Sequence, residues 1–272
     1  MITIYNIAKK IEFTSFKFSG GEISVKLKDT SDVAGIRPPI FITAFIRNSD
    51  DLMELLMATD AIRQIAPKAE IELIIPYLPY ARQDRVMVPG EAMSLKVFAN
   101  IINSQNYTSV RVWDAHSDVG VALIDRCTNV PQETLALMMN FKMSPENTIL
   151  VSPDAGAEKK IYKFAKALSF EEIVFASKVR DVSNGKILQT KLLESWKTSK
   201  DFLIADDICD GGGTFIALAE KLRPLTSGKI KLLVTHGIFS KGVEVFDGII
   251  DEVMVVNNIN GVKSTEKTKV IG

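Results

Sequence analysis

The sequence predicts an α/β protein made of two domains. Three observations carry this: short apolar or β-branched runs alternate with helical patterns, the alternation occurs twice, and polar residues of chemical interest sit just after the strand runs. Strands alternating with helices imply mainly parallel sheets with helices on both faces. In such sheets ligands bind at the carboxyl ends of the strands.

Taken in order, the short apolar runs read as strands and the longer patterns with spaced apolar positions as helices. The first half gives strand "IFITAFI" (40–46), helix "DLMELLMATDAIRQIA" (51–66), strand "EIELIIPY" (70–77), helix "AMSLKVFANIINSQ" (92–105) and strand "SVRVWDA" (109–115). The second half repeats the scheme with "NTILVSPD" (147–154), "GAEKKIYKFAKAL" (156–168), "EEIVFASK" (171–178), "DFLIADD" (201–207), "GTFIALAEKL" (213–222) and "KIKLLVTHG" (229–237). Pro145 and its polar neighbours in "FKMSPEN" (141–147) interrupt the pattern. This sets the expected domains at 1–143 and 144–272.

The 272 residues fit one large domain or two modest ones and suffice to bury a sizeable core. Lys+Arg and Asp+Glu balance at 33 each, which gives no support for a nucleic-acid or membrane-surface binder. Cys127 and Cys209 lie far apart without metal-like spacing, so a reducing compartment is expected and a disulfide is not. No run approaches the ~18 apolar residues of a membrane span. The expectation is a cytoplasmic protein without a membrane anchor.

The densest chemistry lies in "DFLIADDICDGGGTFIALAEKL" (201–222). Three glycines permit positive φ and close backbone approach to a ligand. Thr214 is expected to cap the following helix, whose free N–H groups and dipole make an anion site. Asp206 and Asp207 would repel a phosphate, but carboxylates accept hydrogen bonds from vicinal hydroxyls. A sugar phosphate offers a diol to the acids and a phosphate to the loop. Asp114 and His116 after "SVRVW", and Asp154 after "TILVSP", occupy equivalent strand-end positions. Together they point to one composite site.

"ADDICDGGGT" resembles the ribose-phosphate loop of the phosphoribosyltransferase fold, and "IPYLPYARQDR" (75–85) resembles the nucleotide segment of the ribose-phosphate pyrophosphokinases, also called phosphoribosyl pyrophosphate synthetases. "FSGGEISVKL" (18–27), "WDAHSD" (113–118), "VSPDAGAEKK" (151–160), "SKVRD" (177–181) and "VTHGIFS" (234–240) fall in the same order, so the resemblance covers nearly the whole chain. It implies two tandem phosphoribosyltransferase-like domains. It also implies transfer of the β,γ-diphosphate of Mg-ATP to the C1 hydroxyl of ribose 5-phosphate, with AMP released.

By the same resemblance Arg82, Gln83, Asp84 and Arg85 hold ATP, with Phe18 and Glu22 at the adenine. Asp114, His116 and Asp154 serve the Mg²⁺ and triphosphate. Lys178 and Arg180, with His116, are the catalytic set. Asp206 and Asp207 hold the ribose diol, and Asp210, Gly211, Gly212, Gly213 and Thr214 hold the 5-phosphate. Alternate residues of an extended stretch project to one side, so Lys178 and Arg180 can reach one developing charge. "VRDVSNGKI" reads as a hairpin flap tipped by Asn184-Gly185. His236 is expected to be structural. A homo-oligomer, dimer or higher, is implied.

Two departures from the family pattern matter. Gly20 stands where the family commonly has an acid near the base. Gly211 stands where it usually has a threonine, which removes a hydroxyl donor to the 5-phosphate and opens space. An acceptor extended through its phosphate, such as ADP-ribose, is therefore a second expectation. The shorter C-terminal end argues for simpler assembly and no ADP or phosphate regulation. Two rivals of other classes remain: a phosphoribosyltransferase, and a non-catalytic regulatory homologue.

Overall fold

In a computed structural model the protein is described over residues 1–7, 9–34, 39–180, 187–192 and 197–271; the side chains of 177–180 and 187–192 lie outside the described set. The chain forms two compact units, Met1–Val130 and Pro131–Gly272. The break comes earlier than the one read from Pro145. The segment between belongs to the second unit because its helix buries Ala136 in that unit's core.

The first unit contains β1 (Ile2–Tyr5), β2 (Phe13–Lys17), β3 (Ile23–Leu27), β4 (Ile40–Ala44), α1 (Ser49–Ile65), β5 (Ile71–Ile75), α2 (Ser94–Ser104), β6 (Ser109–Trp113), α3 (Asp118–Leu123) and β7 (Cys127–Val130). Its sheet runs β1-β4-β5-β6-β7, parallel except for β1. β2 and β3 form a separate antiparallel hairpin. The alternating burial of β4 and β5 places Ile42, Leu73 and Ile75 against Leu55 and Ile62 of α1 and Phe98 of α2 in one core. Asn48 caps α1 by accepting from the Asp51 N–H at 2.9 Å.

The second unit contains α4 (Gln132–Met138), β8 (Thr148–Ser152), α5 (Glu158–Leu168), β9 (Ile173–Arg180), β10 (Ile187–Leu192), β11 (Asp201–Cys209), α6 (Gly213–Leu222), β12 (Ile230–Gly237), β13 (Glu252–Asn258) and β14 (Thr268–Val270). The sheet order is β10-β9-β8-β11-β12-β13-β14, with only β10 antiparallel. Successive strand residues point to opposite faces. Ile149, Phe202, Ile204 and Leu232 therefore meet Phe215 and Leu218 of α6, while Leu150, Leu203 and Leu233 meet Ile161 and Phe164 of α5. This two-faced burial explains the nearly unbroken apolar runs of β8 and β11. No helix among the described residues is long and apolar enough to cross a membrane.

Strand order reverses direction between β8 and β11. β9 follows β8 on one side, while β11 and β12 continue on the other. Such a switch point leaves a crevice beyond the carboxyl ends of the two central strands. Asp154 and the 206–214 segment emerge there.

Candidate functional site

In the second unit β11 does not stop at the two acids. It continues to Cys209, with Asp206, Ile208 and Cys209 in register with Val234, His236 and Gly237 of β12. Asp206 and Asp207 are thus strand residues on alternate faces. Burial, then the neighbouring Asp207 and Asp154 charges, push the Asp206 carboxyl well above the usual carboxylate range. Lys160, two residues into α5, reaches Asp207 at 3.5 Å. Asp154 turns the chain into α5, its Oδ1 accepting from the Ala157 N–H at 3.1 Å.

Gln132, at the start of α4, lies buried behind these acids. Its Nε2 donates to the Asp206 carbonyl at 2.6 Å and to Thr235 Oγ1 at 3.1 Å. One amide therefore ties β11 to β12 where the carboxylates emerge. Neither Gln132 nor Lys160 is flagged by its local sequence, since each acts on a residue far away in the chain.

The glycine loop uses its three glycines differently. Only Gly212 has a left-handed backbone, with φ +77°. A Cβ there would lie 2.7 Å from Cζ of buried Phe246, whereas one at Gly213 would meet nothing within 4 Å. Gly212, not Thr214, is the N-cap of α6. Thr214 is already helical, and no side chain makes a cap hydrogen bond. The Gly212 carbonyl takes the Phe215 and Ile216 N–H groups, both at 3.0 Å. The first N–H groups of a helix have no intrahelical acceptor, so the loop and the start of α6 form an anion cradle. Burial, then Asp210 and Asp206, push the Cys209 thiol up to about 12. That thiol is a core group, not a nucleophile.

In the first unit, Arg82, Gln83 and Arg85 are exposed on the loop after β5, while Asp84 is only 6% exposed. Asp84 is the anchor of this loop. It accepts from Arg85 Nε at 2.8 Å and from Ser117 Oγ at 2.7 Å. The Arg85 hydrogen bond, then that of Ser117 and the Arg85 and His116 charges, outweigh burial and hold its carboxyl below the usual range. The loop borders a cavity of about 470 Å³, lined also by Met87, Glu91 and Ser94. His116 is exposed, and Asp114 is buried with φ +40°. Phe18 and Glu22 bracket the turn of the β2–β3 hairpin, where the Phe18 N–H meets the Glu22 carbonyl at 2.9 Å. Phe18 is 54% exposed and packs edge-on against Phe16 at 4.9 Å between ring centroids. It is therefore available as a stacking surface, not a core residue.

β9 carries Lys178 and Arg180, and β10 pairs back on it with Thr190 opposite Lys178. The side chains of Lys178 and Arg180, and the expected hairpin tip Asn184-Gly185, lie outside the described residues. His236 is buried and shares a 3.2 Å hydrogen bond with Asn257. Among the described residues no group of three or more His, Cys, Asp or Glu side chains is arranged to hold a metal.

Residues 5–105 match the N-terminal domain of ribose phosphate pyrophosphokinase. Over 247 residues the chain is 32% identical to the ribose-phosphate pyrophosphokinase of Marinomonas sp., covering 89% of this chain and 77% of that one. The chain belongs to the ribose-phosphate pyrophosphokinase family. The Ureaplasma parvum relative of the same name is 31% identical, with 89% and 74% covered. The solved phosphoribosylpyrophosphate synthetase of Mycobacterium smegmatis shares the fold, with TM-score 0.76, 23% identity, and 96% and 85% of the two chains covered.

Proposed function

We propose that this chain is an ATP-dependent ribose-phosphate diphosphokinase, making phosphoribosyl pyrophosphate and AMP from ATP and ribose 5-phosphate. The observation that carries this reading is the β11–α6 junction, in a chain of this family. Two adjacent carboxylates suited to a diol run directly into a helix-start anion cradle. Asp206 and Asp207 orient the ribose ring, and Asp210 to Thr214 take its 5-phosphate. Arg82, Gln83 and Arg85, on the loop anchored by Asp84, take ATP, with Phe18 and Glu22 at the base.

The C1 hydroxyl attacks the β-phosphorus. A new oxygen–phosphorus bond forms, the bond to the oxygen bridging the α- and β-phosphorus breaks, AMP leaves, and the hydroxyl proton passes to solvent. No protein nucleophile is needed, so positioning and charge dispersal carry the catalysis. Lys178, Arg180 and His116 supply cationic or donor groups to the moving diphosphate. Mg²⁺ keeps several waters and needs few protein carboxylates, so buried Asp114 in the first unit and half-buried Asp154 in the second would each be a candidate ligand. When bound it neutralises phosphate charge. A cytoplasmic homo-oligomer is part of the same proposal, and sedimentation measures the assembly.

The test is to incubate the protein with Mg-ATP and ribose 5-phosphate and identify products by mass. AMP and phosphoribosyl pyrophosphate are expected. Consumption of phosphoribosyl pyrophosphate with a base would instead mark a phosphoribosyltransferase, and no turnover a regulatory homologue. A second reading, the same transfer to an acceptor extended through its 5-phosphate such as ADP-ribose, is raised by Gly211. That position carries no side chain of its own, and the Lys241 stem, 3.5 Å from where a Cβ would stand, takes part of the flank. Comparing kcat/KM for the two acceptors decides between them.

A further inference from the structure

The anion cradle rests on the segment that follows β12. The Ile238 and Phe239 N–H groups donate to the Cys209 carbonyl at 2.8 and 3.2 Å, and the Ser240 N–H donates to the Asp210 carbonyl at 3.2 Å. Phe246, 2% exposed, fills the space under Gly212 and packs edge-on against Phe239 at 6.4 Å between centroids. This second segment therefore sets the shape of the loop. It also brings a cation to it.

Lys241 is exposed, and its stem lies along the side of Gly211. Its Cδ and Cε are each 3.5 Å, and its Cγ 3.7 Å, from the point where a Cβ on residue 211 would be. One further bond of about 1.5 Å leads from Cε to the ammonium, which brings the charge within reach of the loop. Lys241 forms no ion pair among the described residues. The nearby Lys160 is already committed to Asp207. The loop itself offers an anion N–H dipoles and the Thr214 hydroxyl but no cation, and it stands among Asp154, Asp206, Asp207 and Asp210. A phosphate settling there needs a counter-charge, and Lys241 is placed to give it.

We propose that Lys241 is a specificity-determining residue of the sugar-phosphate site. Its stem occupies the flank that Gly211 leaves clear, and its ammonium binds the phosphoryl group held by the loop. The inference rests on reading this loop as the 5-phosphate site. The shared chemistry is a ribosyl 5-phosphate, whether a free monoester or a phosphodiester. Gly211 and Lys241 form one device: a Cβ at 211 would already be in van der Waals contact with the stem, so the γ atoms of a β-branched side chain would compete with it for the same flank.

The experiment measures ribose 5-phosphate and ADP-ribose binding to the full chain by titration calorimetry without ATP, and then steady-state kinetics with each acceptor. The proteins are the unaltered chain, Lys241→Met, Lys241→Arg and Gly211→Thr. Lys241→Met keeps the stem and removes the charge. It is expected to weaken binding of the preferred acceptor roughly ten- to hundredfold. KM for that acceptor should rise while kcat and KM for ATP stay within about twofold. Lys241→Arg should recover most of the loss, and Gly211→Thr should weaken binding in the unaltered chain but add little on top of Lys241→Met. A loss with the monoester or with the diester supports the proposal and names the source. If the unaltered chain binds an acceptor and Lys241→Met binds it equally well, the proposal is overturned while the site reading stands. If the unaltered chain binds neither ribosyl phosphate, both are overturned.

Discussion

Replacing Gly212 with alanine tests the loop where its geometry is most constrained. The new Cβ would stand 2.7 Å from Phe246 Cζ and 2.9 Å from its Cε1. Carbon atoms in contact prefer about 3.5–4.0 Å, so the ring must retreat by about 1 Å. It has no solvent to retreat into, since it is 2% exposed. Overpacking of this kind costs about 1–3 kcal/mol. Holding a non-glycine residue at φ +77° adds about 1–2 kcal/mol. The sum, about 2–5 kcal/mol, should lower Tm by about 5–15 °C. The assay is urea and thermal unfolding followed by circular dichroism, with KM for the ribosyl phosphate measured below the transition. Gly213→Ala is the matched control. A Cβ there meets nothing within 4 Å, so its Tm should hold while KM rises if a phosphate approaches that backbone. Equal stability of Gly212→Ala and the unaltered chain, or equal damage from Gly213→Ala, would refute the reasoning.

Further outcomes follow from the surroundings of single groups. Gln132→Leu removes the amide that donates to the Asp206 carbonyl and the Thr235 hydroxyl and should cost about 1–3 kcal/mol, read as a lower urea midpoint at unchanged m-value. The Asp206 carboxyl has its folded pKa raised above its unfolded one, so the folded chain holds the proton longer and stability falls as pH rises through that interval. Asp206→Asn should therefore melt higher than the unaltered chain at neutral pH, lose this advantage towards pH 4, and fail to bind ribosyl phosphate; a lower Tm at pH 7.5 would contradict the sign. Burial raises the Cys127 thiol to about 11 and the Cys209 thiol to about 12, so neither should react rapidly with a thiol reagent at neutral pH, and both should react in urea. Asp84→Asn removes the charge that Arg85 and Ser117 grip, and KM for ATP should rise about tenfold with Tm little changed.

The sequence was most readable where local pattern and tertiary burial agree. The helix read at 213–222 is α6 at its observed bounds, and the parallel strands fall within a few residues of their apolar runs. The carboxyl end of β11 was misread because two acids look like the end of a strand. The β12 ladder continues past them to Cys209, and no local signal reports a partner strand. Thr214 has the chemistry of a cap, yet the αL turn at Gly212 starts the helix first. β1, β7 and β14 are too short to separate from loops, and the seven-residue β13 is not read as a strand. The candidate site segments are legible as contiguous motifs: "ARQDR" and "DDICDGGGT". Their support is not. Gln132 contacts a residue 74 positions away, and Lys160 one 47 positions away. Such pairs become neighbours only once the sheet is assembled.

The acids beside the cradle explain why that support exists. A phosphate site bordered by Asp154, Asp206, Asp207 and Asp210 would repel its own ligand if charge were evenly spread. The fold separates the signs. Asp206 and Asp207 lie on β11, before the chain turns at Gly212 into the start of α6, so carboxylates and free N–H groups occupy different parts of the junction. Lys160 offsets Asp207 from the α5 side. What remains is a crowded Asp206, destabilising in the free protein. Hydroxyls that donate to these carboxylates favour their charged form, and a cation near Asp154 lowers the same repulsion. On the proposed reading a bound ribosyl phosphate relieves this repulsion, and its addition should raise the melting temperature of the chain.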